Sequence, residues 1–150
     1  MGRWEVKKEK HWDVKEHMNI QRKSDLKHFR DLEVYQKAFQ ASMHIFTITK
    51  SFPTEEKFAL VDQIRRSSRS VCTNLAESWR KRKYPAVFKN KLTDAMQEAS
   101  ETQSWLEFCL ACGYMNEDVF LKMDTEYELI ISMLNSMEKN ADKFTFKASP

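Results

Sequence analysis

The sequence predicts an all-α protein, an antiparallel up-and-down four-helix bundle, and three observations predict it. Four segments repeat apolar residues at steps of three and four. Only two glycines and three prolines occur in 150 residues, too few turn-makers for a fold of many short strands. The spacers between the periodic segments are short, which sets consecutive helices side by side and antiparallel. Apolar residues make up 41% and charged residues 31%, a balance that suits one domain with a real core.

Residues 1–28 show no sustained period. Trp4, Trp12, Val14, Met18 and Ile20 are scattered among charges there, so an N-terminal extension, flexible or partly helical, is expected. The bundle is expected over residues 29–146, with a short tail at 147–150. The first helix is expected over 31–51. Leu32, Tyr35, Phe39, Met43 and Phe46 form its central stripe, and Val34, Ala38, Ala41, Ile45 and Ile48 widen it. So wide a face addresses a core or a second subunit. Phe52-Pro53 stops the helix, because a residue before proline is pushed out of the α region.

The second helix is expected to start after Thr54 as N-cap, with Glu55 and Glu56 suiting the positive end of the helix dipole. Val61, Ile64, Ser68, Val71, Leu75 and Trp79 form its stripe, which fades in Arg80, Lys81, Arg82 and Lys83. Pro85 opens the third helix, at a first-turn position where its missing N–H costs nothing. Phe88, Leu92, Ala95, Ala99, Thr102, Leu106 and Cys109 make its stripe, and Gly113 ends it. Asn116 caps the fourth helix, whose seam is Phe120, Met123, Tyr127, Ile130, Leu134, Met137, Ala141 and Phe144.

No run of about 18 apolar residues exists, so no membrane span is expected. A charged start predicts no signal peptide. The three cysteines are an odd number, read as thiols in a reducing compartment, and a cytoplasmic location is expected.

The net charge of +3 hides a strong polarity. Residues 65–91 hold nine Lys/Arg and one acidic residue, whereas residues 92–150 hold four and eleven. On a helix, Arg65, Arg66, Arg69 and Arg80 fall within about 100° of arc, and the apolar stripe points roughly 120° away. Lys81, Arg82, Lys83, Lys89 and Lys91 extend the charge. Guanidinium forks suit bidentate contact with phosphate, so these nine residues are the candidate nucleic-acid-binding set. No zinc-finger spacing, RNA-binding aromatic signature or helix-turn-helix accompanies them, so contact would be with backbone and shape. The alternative is a solvated face, or bridges to Asp62, Glu77, Glu98 or Glu101. Asn74, Glu77 and Glu101 are read as structural polar residues that bond between helices.

Catalytic residues, metals and cofactors are not expected. Cys109 and Cys112 have the CxxC spacing but no second pair, and they are read, like Cys72, as buried or half-buried thiols. None of His11, His17, His28 and His44 has a glutamate three residues earlier, as helical di-iron sites require. His44 is read as a boundary residue. Trp105, Phe108, Ile131, Ile45 and Ile48 lie beside the main stripes and exceed what one core absorbs, which points to self-association or a protein-interaction scaffold.

Four blocks carry a resemblance. They are Phe29-Arg30-Asp31-Leu32-Glu33-Val34-Tyr35-Gln36-Lys37-Ala38, Gln63-Ile64-Arg65-Arg66-Ser67-Ser68, Asn74-Leu75-Ala76-Glu77, and Ala99-Ser100-Glu101-Thr102-Gln103 running on to Cys112-Gly113-Tyr114. The stretch from Phe29 to Phe144 resembles the four-helix bundle family encoded within intervening sequences of bacterial 23S ribosomal RNA genes. The resemblance implies a homopentameric ring. Through a distant relative, the accessory variability determinant protein of diversity-generating retroelements, it also implies a basic surface that meets nucleic acid and a reverse transcriptase. It supplies no catalytic residue set. Two positions depart from the pattern: Cys72 stands where the family often has proline, and Ser78 where it often has glycine. A straighter second helix is the expected result.

Overall fold

Pro53, Pro85 and Gly113 divide the described chain, residues 26–146 of this computed structural model, into four α-helices, and no strand occurs among those residues. The helices are α1 (Glu33–Thr49), α2 (Leu60–Arg80), α3 (Pro85–Ala111) and α4 (Glu117–Lys139). Short 3₁₀ turns lie at Phe29–Asp31, Thr54–Glu56 and Ala141–Lys143. Residues 1–25 of the expected extension and the expected tail at 147–150 lie outside the described residues. None of the described helices is long and apolar enough to cross a membrane.

The ends follow local chemistry. Pro85 occupies the first turn of α3. Gly113 takes φ +76, which L side chains rarely adopt. Its N–H donates to the Leu110 carbonyl at 3.0 Å and the Tyr114 N–H to the Cys109 carbonyl at 2.9 Å, closing α3 with a Schellman pair. Asn116 Oδ1 accepts from the Val119 N–H at 2.8 Å and opens α4.

The start of α2 differs from the sequence expectation. Thr54 makes no cap, and Thr54–Glu56 forms its own 3₁₀ turn. The chain turns again at Ala59 (φ −119, ψ −106) before α2 begins at Leu60. The Glu56 carboxylate accepts from the Leu60 N–H at 3.2 Å and does the capping instead.

Contacts between helices fix an antiparallel arrangement. From Ser67 to Glu77 on α2, the α3 partners run backwards, from Thr102 (2.8 Å between hydroxyls) to Lys91 (2.8 Å). Arg65, near the start of α2, meets Thr49 at the end of α1. Gln103 on α3 reaches Asp124 and Glu128 on α4. α2 and α3 form the most extensive helix pair, and α1 closes the bundle against α2 and α4. The small residues Ser67, Ala95, Ala99 and Thr102 let α2 and α3 approach closely, and the buried Ser67–Thr102 hydroxyl pair satisfies itself.

The seams predicted for α2, α3 and α4 lie in the core, with Phe120 and Phe144 half-buried at the ends of the α4 seam. α1 turns its other stripe inward. Val34, Ala38, Ala41 and Ile45 are buried, while Tyr35, Phe39 and Phe46 are half-buried and Met43 is 42% exposed. Both stripes are apolar, and the one with two alanines admits the neighbouring helices more closely. α2 runs unbroken for 21 residues through the buried Cys72 and Ser78.

A candidate nucleic-acid interface

One helical period gives α2 two uses. Ile64, Ser68, Val71 and Leu75 point into the core, and Arg66 and Arg69 stand on the exposed outer arc. A shallow groove runs along this face, lined by Lys57, Phe58, Val61, Asp62, Arg65, Arg66, Arg69, Ser70 and Thr73. Asp62 is the one carboxylate in that lining, against four cations. Among the described residues, Arg66 and Arg69 make no ion pair. Glu98 on α3 feels the Arg66 charge. Burial, a hydrogen bond with the Glu101 carboxyl and that carboxyl's charge push Glu98 above its ordinary value, and the Arg66 charge pulls the other way.

The nine candidate residues do not form one patch. Arg80, Lys81, Lys83 and Lys89 are exposed, but the rise along α2 places Arg80 about 16 Å from Arg69. Lys91 is held at 2.8 Å by the Glu77 carboxylate, which raises its affinity for its proton. Arg65 is engaged within the bundle. Its Nε donates to Thr49 Oγ1 at 2.9 Å, its Nη2 donates to the Phe46 carbonyl at 3.3 Å, and its guanidinium lies 4.7 Å from the Phe46 ring centre. It thereby satisfies a carbonyl that the end of α1 leaves without a helical partner. Arg82 is also engaged. Its guanidinium lies 3.7 Å from the Trp79 ring centre and 4.8 Å from that of Phe146, and its Nε donates to the Trp79 carbonyl at 2.9 Å. Burial, then the Arg80 charge, lowers its pKa. Arg65, Arg82 and Lys91 therefore stabilise the bundle, and Arg66, Arg69, Arg80, Lys81, Lys83 and Lys89 remain as the outward cations.

A family model described as 23S rRNA-intervening sequence protein matches residues 30–136. The chain belongs to the 23S rRNA-intervening sequence protein family. Among solved structures, it is similar to a protein of unknown function from the S23 ribosomal protein family of Bacteroides thetaiotaomicron. Identity is 30%, the match covers 71% of this chain and 95% of the other, and the TM-score is 0.64. No curated protein matches the chain. All nine basic candidates lie inside the family match, whereas Phe144 and Phe146, which pack around Trp79 and Arg82, lie beyond it.

In this family member, two of the structural polar residues act differently from the sequence expectation. Asn74 Nδ2 donates to the Ser70 carbonyl at 2.9 Å, within its own helix, because a full turn back offers the nearest acceptor. Glu101 is exposed on α3 and addresses Glu98 of the same helix. Glu77 does bridge helices, through Lys91. Cys72 and Cys109 are buried thiols pushed up to about 12 by desolvation, but Cys112 is exposed. His44 is exposed at the edge of a groove with Ile48, Tyr114 and Val119, and burial, then Lys122, lowers its pKa.

Two features of the basic surface were not singled out in the sequence. Lys57 and Phe58 join the arginine groove. A wheel continued back from Arg65 at 100° per residue would set Phe58 about 20° from it, but the chain turns at Ala59 before α2 begins, so that turn and not the helical period brings the ring to the groove. At the other end, the Phe29–Asp31 turn brings His28 and Arg30 towards Arg80. Burial, then the Arg30 and Arg80 charges, lowers the His28 pKa, and Asp31 opposes them. That proximity is long-range and has no local sequence mark.

Proposed function

We propose that the protein is a non-catalytic, self-assembling helical bundle that binds the backbone of RNA or DNA through the outer face of α2. One observation carries the reading. Arg66, Arg69, Arg80, Lys81 and Lys83 are exposed and make no ion pair among the described residues. Cations left unpaired, Arg66 and Arg69 in the groove and Arg80, Lys81 and Lys83 about three turns further on, attract a polyanion long enough to span both groups and release its counterions on contact. A ring of subunits, pentameric by resemblance, would repeat the face and multiply a weak contact. The resemblance adds a nucleic-acid enzyme such as a reverse transcriptase as a protein partner, and the unpaired cysteine thiols suit a cytoplasmic setting. Cys72 and Cys109, held as protonated thiols by burial, suit a structural role better than a nucleophilic one.

Paired substitution Arg66→Glu with Arg69→Glu tests the reading, because both side chains project outward and neither supports the core. Nucleic-acid affinity should fall and its salt dependence should flatten, while the helical circular-dichroism signal stays as in the parent. Binding that is unchanged across a salt titration removes the proposal.

A second reading, a protein-interaction scaffold without a nucleic-acid role, is favoured by α3. Phe108 is 53% exposed beside Trp105, whose indole N–H is buried without an acceptor among the described residues. A protein partner recovered after nuclease treatment, together with no nucleic-acid binding, would select it.

A further inference from the structure

Phe58 is the most exposed large apolar side chain among the described residues, at 85%. Its place is fixed. The Ala59 N–H donates to the Glu56 carbonyl at 3.1 Å and the Leu60 N–H to the Glu56 carboxylate at 3.2 Å, so the turn that carries Phe58 is bonded on its C-terminal side. The ring does not sit in an apolar patch. Lys57 Nζ lies 5.3 Å from its centre, and Arg65, Arg66 and Arg69 line the same groove, with Val61 between them.

An exposed aromatic ring beside outward guanidiniums presents two requirements at once. The cations call for phosphate, and the ring calls for a flat apolar partner. An apolar protein surface that covered Phe58 would also desolvate Arg66 and Arg69 without supplying them an anion, which is costly. A duplex meets the cations alone, since its bases are stacked on one another. A single strand meets both, because an unpaired base can leave its own stack for the ring while its phosphates follow the arginines.

We propose that this groove selects single-stranded nucleic acid, with an unpaired base stacked on Phe58 and the flanking phosphates held by Lys57, Arg66 and Arg69. This rests on the nucleic-acid reading above and deepens it. Arg65, committed to Thr49 and Phe46, contributes fixed positive charge at the groove's edge.

The full chain is titrated by fluorescence anisotropy with labelled mixed-sequence single strands of RNA and of DNA, and with hairpin duplexes of the same length. The parent should prefer single strands. Phe58→Ala should lower single-strand affinity about tenfold and leave duplex affinity as it was, which is the scale of one lost base–aromatic stack. Phe58→Trp should restore single-strand binding, and its added fluorescence should be quenched as the strand binds. Equal losses on both probes, or none, overturn the inference while the backbone reading stands. A parent that binds neither probe overturns both. A changed solution mass for Phe58→Ala identifies the ring as a subunit contact and also overturns the inference.

Discussion

Glu98 is an acid placed against its own preference. Desolvation, the Glu101 carboxyl and the Asp94 charge all favour its protonated form, and Arg66 only partly offsets them. Its folded pKa is therefore raised above the ordinary 4.5, so the folded chain binds this proton more tightly than the unfolded chain does. The stability this contributes is fully present below 4.5 and is lost as pH rises through the raised value. Glu98→Gln, which keeps the shape and removes the charge, should raise the melting temperature at neutral pH. The gain should shrink to nothing once the medium is more acidic than 4.5. Melting curves followed by circular dichroism at the two pH values decide it: an equal gain at both, or a loss at neutral pH, refutes it. From the sequence alone, Glu98 is only a carboxylate that could bridge to the arginines. Its like-charged company, Asp94 and Glu101, is set by helical spacing and was readable in the sequence. Its burial comes from the packing of α2 on α3 and was not.

At the scale of elements, periodicity located all four helices, and caps read from residue type held at Pro85, Gly113 and Asn116. It failed where two solutions were equally apolar or where the deciding partner lay on another element. α1 offered two greasy stripes, and residue volume, which periodicity ignores, chose the one with Ala38 and Ala41. The wheel placed Arg65 with Arg66 on the outer arc, but the Phe46 carbonyl and the Thr49 hydroxyl that capture Arg65 belong to the end of α1. This capture matters because α1 has less helix contact than α2 or α3. Arg65→Ala should remove two hydrogen bonds and a cation–ring contact, lowering stability by about 1–2 kcal/mol in chemical denaturation. Arg65→Lys should recover only part of that, since an ammonium cannot present the guanidinium's fork to both acceptors. Hydrogen exchange should show the loss first at the C-terminal turn of α1. Full recovery by lysine would mean that charge at the helix end, and not the paired geometry, holds α1 in place.

Across the whole molecule, the four helices bury one continuous core and still leave large apolar side chains outside. Phe108 is 53% exposed, Leu121 and Leu129 project from α4, and Met43 projects from α1. Single exposed apolar residues are ordinary on a folded domain, but Phe108 adjoins Trp105 at 5.7 Å between ring centres, and the Trp105 N–H is shielded from solvent without an acceptor among the described residues. That donor state is shared by the core groups Trp79 Nε1 and Tyr127 Oη, so the sign of a partner here is the exposed Phe108 ring, whose burial against a second copy would remove apolar surface from water. Light scattering should therefore give a mass that is a multiple of the 17.9 kDa chain. Phe108→Asp should lower it towards one chain with the helical signal intact, because Phe108 lies outside the core and a carboxylate there opposes burial against a partner. Phe58 should not share this behaviour, since its surroundings are cationic and its proposed partner is a nucleic acid. If the parent runs as a single 17.9 kDa chain, Phe108 is a lone exposed ring and the basic face acts alone. Its affinity for nucleic acid must then come from one copy of α2, and the loss on charge reversal should be correspondingly shallow.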